Sequence, residues 1–338
     1  MSIVSFFAGA GGLDLGFENL GFNVEWACEF DKNIWDTYRF NHPNTYLETR
    51  SITDVRPEDL PNNVTGIIGG PPCQSWSLAG SMQGINDPRG KLFYDYLRLL
   101  NAKQPQFFVA ENVPGMLSPA HKEEFLKIID KFKECGYIVT YKLLNAWDFG
   151  AGQDRKRVII VGYREDLGIE FNFNNLTPVE NKLVLRDVIG DLPEPLPALE
   201  RNYTNRDTGV IANNEYFIGG FSSIFMSRNR IRNWQEPSFT IQASGRQAPI
   251  HPGSDPMRKI DTNKWEFTGD NYRRLSVREC ARIQGFPDDF IFKYTKVDMG
   301  YKMIGNAVPV PLAEAIARQI RIDLNQLNIV KREAVITG

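Results

Sequence analysis

The sequence predicts an α/β protein with a doubly wound sheet and a second, smaller and less regular lobe. Over residues 1–165, short apolar runs alternate with amphipathic stretches, which is typical of repeated strand–helix–strand units. A glycine-rich stretch directly follows the first apolar run, where folds of this kind bind ligands. From about residue 170 to 220 the chain becomes rich in proline and polar turn residues, which marks entry into the second lobe.

Six apolar runs are interpreted as buried strands of one parallel sheet. They are "SIVSFF", "NVEWACEF", "TGIIGG", "QFFVAENV", "YIVTYKLL" and "RVIIVGY". Helical periodicity occurs between these runs and again late in the chain, at residues 89–102, 119–135, 276–284 and 309–325. We therefore expect ligands at the carboxyl ends of the strands.

Composition narrows the class of protein. The 338 residues are 42% hydrophobic, which is enough for a sizeable core. No apolar run approaches the roughly 20 residues of a membrane helix, and the first residues lack a secretory signal, so we expect a soluble, cytoplasmic protein. Four cysteines and three histidines are scattered without metal-site spacing, which predicts reduced thiols and no metal.

The net charge of −2 conceals an asymmetry. Residues 228–282 contain eleven Lys and Arg against six Asp and Glu, whereas the remainder of the chain is acidic. A basic segment on an acidic body indicates one face that meets phosphate, although a merely solvated surface is the alternative.

The stretch "FFAGAGGLDLGF" lets a ligand approach backbone amides at the start of a helix. It is not the dinucleotide fingerprint, because Asp14 occupies the third glycine position, which argues against a nicotinamide dehydrogenase. Glu29, at the end of the next strand, is suited to accept hydrogen bonds from ribose hydroxyls. A nucleoside without a pyrophosphate fits this pattern; a plain strand–helix turn is the alternative.

Cys73 lies in "IIGGPPCQSWS", directly after an apolar run. Most free cysteines are small buried hydrophobes, but two prolines restrict this backbone and the polar residues that follow indicate accessibility. A thiol held in this way can act as a nucleophile if its thiolate is stabilised.

Two further groups are candidates for the chemistry of a site. Glu111 ends the run "FFVAENV", where it is either an exposed strand end or a carboxyl in a partly dry pocket; burial would raise its pKa and make it a proton donor near neutral pH. Arg155 and Arg157 alternate at the entrance to a strand and so point to one side, which suits an anionic or carbonyl-bearing substrate, although a surface salt bridge is the alternative.

Six ordered blocks give the chain a family resemblance across almost its whole length. "FAGAGGLDLGF", "GGPPCQSWS", "ENV", "QDRKRV", "RRLSVRECARIQGFPDDF" and "GYKMIGNAVPVPLAEAIA" resemble, in sequence and order, the blocks of DNA (cytosine-5)-methyltransferases. The chain is most similar to the bacterial modification enzymes that protect GGCC sites, a likeness that extends through residues 216–247. The resemblance implies a Rossmann-like methyltransferase sheet and a smaller, irregular DNA-recognition lobe.

The resemblance also implies roles for the chemical groups. Cys73 would add to carbon 6 of a flipped-out cytosine, and Glu111 would hydrogen-bond or protonate ring nitrogen 3. Arg155 and Arg157 would hold the base, and no metal would be required. The segment "QSWSLAGSMQG" resembles the loop that closes over the flipped base, and its Ser75 and Ser77 are expected to contact DNA.

S-adenosylmethionine is the implied cofactor, with S-adenosylhomocysteine as its product. The positions that match cofactor contacts of the family are Phe7, Gly9, Gly12, Glu29, Phe30, Ile52, Pro72, Leu92 and Asn306. One position departs from the family: Ser51 stands where an Asp usually contacts the adenine amino group. A hydroxyl replaces one hydrogen bond but not the charge, which places the cofactor affinity in doubt.

The implied organisation is a catalytic domain of residues 1–175 plus 298–338 and a recognition lobe with its hinge at 176–297. Double-stranded DNA would lie between them, bound by a monomer, and the modification would protect host DNA from a cognate restriction endonuclease. The densest cluster of arginines with few acids is expected to read guanines; it comprises Arg228, Arg230, Arg232 and Arg246.

Three alternatives concern related proteins. An RNA cytosine methyltransferase of the tRNA-directed kind would carry Cys-Phe-Thr after Glu-Asn-Val, where this chain continues "PGMLSP". An amino-group methyltransferase would have an Asp- or Ser-Pro-Pro-aromatic motif in place of Pro-Pro-Cys. A non-catalytic DNA-binding paralogue would have lost Cys73, Glu111 or the arginines, and none of them is lost.

Overall fold

A computed structural model of the chain describes residues 1–71, 88–205, 207 and 209–337, with the side chains of 88–91, 328 and 330–337 left out. Within these residues a seven-stranded sheet forms the centre of the molecule, in the order β3-β2-β1-β4-β5-β7-β6. Its strands are β1 Ser2–Phe6, β2 Asn23–Cys28, β3 Tyr46–Glu48, β4 Gly66–Gly69, β5 Phe107–Asn112, β6 Tyr137–Asn145 and β7 Lys156–Arg164. Strand order reverses beside β1, as expected of a doubly wound fold.

Eight α-helices occur in the described part of the chain. They are α1 Gly12–Glu18, α2 Trp35–Asn41, α3 Pro88–Lys103, α4 Lys122–Glu134, α5 Leu185–Ile189, α6 Val277–Ile283, α7 Val297–Asn306 and α8 Val310–Thr337. None of the helices in these residues is both long and apolar enough to cross a membrane. α6 begins where its sequence predicts, because Ser276 and Glu279 form a reciprocal capping box.

The prediction of a doubly wound α/β fold is confirmed, and all six apolar runs form strands of the central sheet. The interpretation of all six as parallel is wrong for β7, which pairs antiparallel with both β5 and β6. A buried apolar run carries no information about strand direction, since both directions bury the same side chains. The short edge strand β3 was not predicted.

Helices cover both faces of the sheet. α1 and α8 pack on one face around Phe17, Leu312 and Ile316, and α3 and α4 pack on the other around Tyr96 and Phe132. The glycines of α1 allow its close approach to α8: a β-carbon on Gly16 would lie 2.4 Å from Cβ of Ala313. The late part of the chain therefore returns to pack against the first helix.

Between α5 and α7 the chain has little regular structure. Its strands are two short pairs, β8 Leu196–Pro197 with β9 Glu215–Tyr216 and β10 Met257–Asp261 with β11 Lys264–Phe267. Buried arginines satisfy carbonyl groups that would otherwise be paired in a sheet. Arg278, fully buried, donates to the carbonyl oxygens of Ala212, Pro287 and Phe290.

The positive charge of residues 228–282 is less available to DNA than its count indicates. Arg274 is buried and donates to the carbonyl oxygens of Gly219 and Gly220, and Arg273 pairs with Glu279 at 2.8 Å. Arg282 pairs with Asp191 and Asp288. Four of the eleven cations are therefore engaged by partners within the protein, namely Arg273, Arg274, Arg278 and Arg282. A count of charges in the sequence cannot reveal this.

Gly16→Ala tests the contact between α1 and α8. Alanine favours a helix by about 1 kcal/mol over glycine, but its methyl group would also overlap Ala313 and lie 2.9 Å from the carbonyl oxygen of Val310. Overpacking of this kind typically costs about 1–3 kcal/mol, so we expect a net loss of stability in urea unfolding. Gly115→Ala is the matched control, because its added β-carbon would meet nothing within 4 Å. Equal stability of the two variants would contradict the close packing.

Candidate active site and DNA interface

Among the described residues, several of those predicted to form the site come together at one edge of the sheet. β3, β2, β1 and β4 are parallel neighbours, so the chain leaves all four at that edge. β5 also ends there, at Glu111 and Asn112. Because β7 is antiparallel, it begins at this edge, which brings Arg157 opposite the end of β5.

The glycine loop after β1 is shaped to leave space above it. Phe7 and Gly9 have φ of 54° and 58°, and for Phe7 this left-handed conformation is strained. A β-carbon on Gly9 would meet nothing within 4 Å, whereas one on Gly12 would lie 2.6 Å from the carbonyl oxygen of Val308. The loop is therefore open on one side and packed on the other against the residues that follow Asn306, whose side chain is exposed.

Glu29 lies beside this loop and is bonded to its backbone. Its carboxylate accepts hydrogen bonds from the backbone N–H groups of Gly9, at 2.9 Å, and Asp31, at 2.7 Å. Burial raises the pKa of Glu29, and these two donors oppose that effect. Next to it, the Phe30 ring is 72% exposed. Open space, an acceptor and an exposed aromatic ring together fit a nucleoside with ribose hydroxyls.

The segment after β3 lies beside Glu29. Ser51 caps a short 3₁₀ helix, Ile52–Asp54, by accepting hydrogen bonds from the Thr53 backbone N–H and hydroxyl. Ile52 is buried, and its carbonyl oxygen accepts a hydrogen bond from Arg98 of α3. Leu92, also on α3, packs against the same apolar core. Ser51 therefore has a local structural role in addition to any contact with a ligand.

The end of β4 is tied to the end of β5. Asn112 donates from its side chain to the carbonyl oxygen of Pro71 at 2.9 Å, and accepts from the Val113 backbone N–H with its own oxygen. A β-carbon on Gly70 would lie 3.2 Å from Oε2 of Glu111, so the carboxylate lies against the approach to Pro-Pro-Cys. Cys73 itself lies outside the described residues, as do Pro72, Ser75 and Ser77.

Glu111 and Arg157 form a largely buried ion pair at this edge. Arg157 Nε lies 2.7 Å from Glu111 Oε1, and the two side chains are 12% and 13% exposed. Burial raises the pKa of Glu111, while Arg157 and then Arg155 oppose that shift. One carboxylate oxygen is thus fixed by the arginine, and the other faces Gly70.

Arg155 occupies a different environment from the one that alternation with Arg157 predicts. It is 1% exposed and donates to the carbonyl oxygens of Ile241 (2.9 Å), Gly305 (2.7 Å) and Ala307 (3.2 Å). Burial, with Arg157 nearby, lowers the pKa of Arg155 to about 9. These bonds make it a link between β7, the second lobe and the end of α7.

Sequence reasoning missed the two glutamines that complete this link. Gln153 donates to the Gln284 side chain at 2.6 Å and accepts from the Ile241 backbone N–H at 3.0 Å. Gln284 donates to the carbonyl oxygens of Ile304 and Ala307. Both glutamines are fully buried, and both lie within the sequence blocks "QDRKRV" and "ARIQGFPDDF", which was the available signal.

Three of the four predicted DNA-reading arginines line one cleft of about 220 Å³, called here the arginine cleft. Asp154, Gln242 and Gln247 also line it. Arg230 stacks on Phe225, and Arg232 stacks on Phe239 and pairs with Glu236. Arg228 is exposed and makes no hydrogen bond or ion pair with the described residues, while Arg246 is exposed outside the cleft lining.

Residues 1–321 match the family model described as "C-5 cytosine-specific DNA methylase". The type II methyltransferase M.MthTI of Methanothermobacter thermautotrophicus is 56% identical, with 96% of this chain and 98% of that protein aligned. The type II methyltransferase M.FnuDI of Fusobacterium nucleatum is 53% identical over 98% of both chains.

Solved structures with low sequence identity share the fold. A protein described as a DNA modification methyltransferase encoded in an E. coli prophage superposes with a TM-score of 0.74 at 23% identity, over 96% of this chain and 99% of that one. A DNMT2 variant of Spodoptera frugiperda gives 0.67 at 20% identity, over 96% and 99%. The family match over nearly the whole length shows that this chain belongs to the C-5 cytosine-specific DNA methylases, enzymes that methylate carbon 5 of cytosine in DNA.

Proposed function

We propose that this enzyme transfers a methyl group from S-adenosylmethionine to a cytosine flipped out of double-stranded DNA, within GGCC, as the modification enzyme of a type II restriction-modification system. The observation that carries the proposal is the Glu111–Arg157 pair, held beside the backbone that leads into Pro-Pro-Cys. The naming of the relatives as type II methyltransferases supports the restriction-modification role.

Cys73 is the proposed nucleophile. Its thiolate adds to carbon 6 of the cytosine and breaks the 5,6 double bond, which makes carbon 5 nucleophilic. When bound, S-adenosylmethionine supplies the methyl group that carbon 5 acquires. Loss of the carbon-5 proton to a base then re-forms the double bond and expels the Cys73 thiolate, leaving 5-methylcytosine.

Glu111 and Arg157 act on the opposite side of the pyrimidine ring. Negative charge develops on ring nitrogen 3 as the thiolate adds, and a carboxyl group with a raised pKa can donate a hydrogen bond or proton there. Arg157 holds Oε1 of Glu111 at 2.7 Å, so Oε2 is the oxygen left for the base. Arg155 is proposed to act through the backbone that it orients, because both of its terminal nitrogens already donate to backbone carbonyl oxygens.

The glycine loop and its neighbours would hold the cofactor. Glu29 would accept hydrogen bonds from the ribose hydroxyls, and the Phe30 ring would lie against the adenine. Ser51 would meet the adenine amino group. The remaining proposed contacts are those of Phe7, Gly9, Gly12, Ile52, Pro72, Leu92 and Asn306.

The arginine cleft would meet the major groove of the duplex. Guanine offers two acceptors that one guanidinium can bind bidentately, and a GGCC site contains two guanines on each strand. We propose the cleft as the base-reading part of a recognition lobe at residues 176–297, with the catalytic domain formed by 1–175 and 298–338. Ser75 and Ser77 would contact the DNA near the flipped base, and the enzyme would act as a monomer.

Bisulfite sequencing of DNA from a host that expresses this chain tests the proposal directly. Cytosines within GGCC should resist conversion, and a Cys73→Ser control should leave them convertible. Resistance at another sequence would overturn the GGCC assignment alone. No resistant cytosine at any sequence would overturn the proposed activity.

Covalent trapping tests the role of Cys73. A duplex carrying 5-fluorocytosine at the target should form an adduct stable to denaturant, because fluorine cannot leave as a proton does. Cys73→Ser should form none and lose turnover, since a hydroxyl is a much weaker nucleophile at neutral pH. Cys135→Ser, which changes a half-buried thiol directly after α4, is the matched control and should still form the adduct. Absence of any adduct with the unsubstituted enzyme would overturn the mechanism.

Ser51→Asp tests the cofactor contact. Aspartate is also a good cap for the 3₁₀ helix, so the fold should tolerate it. A charged hydrogen bond to the adenine amino group is typically worth about 1.5–3 kcal/mol, so calorimetry should report S-adenosylmethionine binding that is unchanged or tighter. Ser51→Ala, which removes both the cap and the contact, is the comparison. Clearly weaker binding by the aspartate variant would mean that Ser51 does not face the adenine.

Arg228→Ala distinguishes base reading from phosphate contact. If Arg228 reads guanine, the variant should lose about 1–3 kcal/mol on the cognate site and discriminate less at one base pair. A phosphate contact should instead weaken all sequences alike and lower the salt slope by about one unit. Methylation rates on GGCC and its single-base variants at two salt concentrations separate these outcomes. The same measurement on Arg246→Ala compares an exposed arginine outside the cleft lining.

A further inference from the structure

We infer that Asp154 is a specificity-determining residue, whose carboxylate accepts a hydrogen bond from the exocyclic amino group of a cytosine in the recognised duplex. The inference rests on the proposed function and names one base contact within it. That cytosine is not the methylated one, which would lie at Glu111. The contact would be made inside the arginine cleft, whose lining includes Asp154.

Asp154 is held rigidly in the cleft wall by its backbone. Its N–H donates to the carbonyl oxygen of Ser238 at 3.1 Å, and its own carbonyl oxygen accepts from the Thr240 hydroxyl at 2.6 Å. These bonds tie it to the segment that follows Arg232. A side chain that reads a base must be placed accurately, and this double attachment places it.

Only one of the two carboxylate oxygens of Asp154 has a hydrogen-bond partner among the described residues. Oδ1 accepts a hydrogen bond from the Asn145 side chain at 2.9 Å, and Asn145 is itself fixed by accepting from the Arg155 backbone N–H. Oδ2 has no hydrogen-bond partner among the described residues, and the side chain is exposed. One anionic oxygen with a fixed direction is therefore available to a ligand in the cleft.

The charges of the cleft favour a base edge over a phosphate. Three arginines line the same space, but none of them has a guanidinium nitrogen within 4.0 Å of a carboxylate oxygen of Asp154, so none forms an ion pair with it. A phosphate seated there would meet an unneutralised carboxylate, which repels it. A G·C pair presents two acceptors and one amino donor in the major groove, and this combination calls for a guanidinium beside a carboxylate.

The partners of the three arginines indicate which one completes the pair. Arg230 donates to the carbonyl oxygens of Phe225 and Ile224, and Arg232 is engaged by Glu236. Arg228 has no such partner among the described residues, so its donors are available for guanine. Arg228 and Asp154 can thus read the acceptor and donor groups of G·C pairs from one cleft.

The test removes the amino group from the DNA and the carboxylate from the protein. After the site has been mapped by bisulfite sequencing, each non-target cytosine in it is replaced in turn by 2-pyrimidinone, which lacks the 4-amino group. At one position the unsubstituted enzyme should lose about 5- to 150-fold in kcat/KM. Asp154→Asn should lose a similar factor on the natural duplex. In one orientation the new amide NH2 faces the cytosine amino group, and in the other it faces the Asn145 NH2, so in both cases two donors oppose each other.

The decisive quantity is the coupling between the two changes, since removing the amino group also weakens base pairing. Asp154→Asn should lose little further rate on the 2-pyrimidinone duplex at that position, while Asp130→Asn, an exposed acid on α4, should behave like the unsubstituted enzyme. Unchanged S-adenosylmethionine affinity and thermal unfolding verify the fold, and Asp154→Ala replaces the asparagine variant if they change.

If the rate losses caused by Asp154→Asn and by 2-pyrimidinone multiply independently at every position, the inference is overturned and the proposed function is left intact. A full rate of Asp154→Asn on the natural duplex would have the same consequence. If the unsubstituted enzyme forms no 5-methylcytosine on any duplex, the proposed function falls and the inference falls with it.

Discussion

The guanidinium of Arg155 joins segments that lie far apart in the sequence. It donates to the carbonyl oxygen of Ile241 and to those of Gly305 and Ala307, at the end of α7. Gln153 and Gln284 add a second set of buried bonds to the same segments. A buried polar group that loses its partner costs about 1–3 kcal/mol, and more when it is charged, so these segments are held in one arrangement. The edge of the sheet that carries Glu111 and Arg157 is therefore tied by buried polar contacts to Ile241, which directly follows Thr240 of the arginine cleft.

In the irregular segment between α5 and α7, arginine side chains donate to backbone carbonyl oxygens that neighbouring strands would pair in a β-sheet. Arg274 and Arg278 each satisfy carbonyl oxygens of irregular backbone, and Arg274 also stacks on Phe221 at 4.1 Å. Burial lowers the pKa of Arg274 to about 10, which still leaves it charged at neutral pH. An irregular backbone held in this way can present loops that a sheet could not, and the loop that carries Arg228 is one of them. Part of the positive charge of this segment is thus engaged within the protein, and only the remainder is available for the DNA contacts proposed above.

Six of the seven strands of the central sheet and most helices could be predicted from the sequence because hydrophobic periodicity reports local structure directly. The glycine loop and Glu29 were predicted to lie together, since both follow parallel strands. Strand direction could not be predicted for β7, and neither could the position of Arg155. Alternation predicted that Arg155 and Arg157 would share a face. Instead Arg157 pairs with Glu111, while Arg155 precedes the strand and turns into the interior, where its partners come from residues about 90 to 150 positions later in the chain. Long-range carbonyl partners leave no periodic signal in a sequence.

Rigid support for the approach to Cys73 follows from contacts that involve only the described residues. A β-carbon on Gly69 would lie 2.3 Å from the carbonyl oxygen of Phe6, so β4 and β1 are in close contact at the reactive edge. Asn112 then holds the Pro71 carbonyl oxygen, and the Glu111 carboxylate lies against Gly70. Two strands and one ion pair thus define where the chain enters Pro-Pro-Cys. In the proposed mechanism, addition to a pyrimidine depends strongly on the distance and angle of attack, so an anchor on the residues before Cys73 would reduce the motion that binding otherwise has to restrict. The same contacts fix the Glu111 carboxylate relative to Gly70 and Pro71, so the proposed acid has a fixed position relative to the backbone that enters Pro-Pro-Cys.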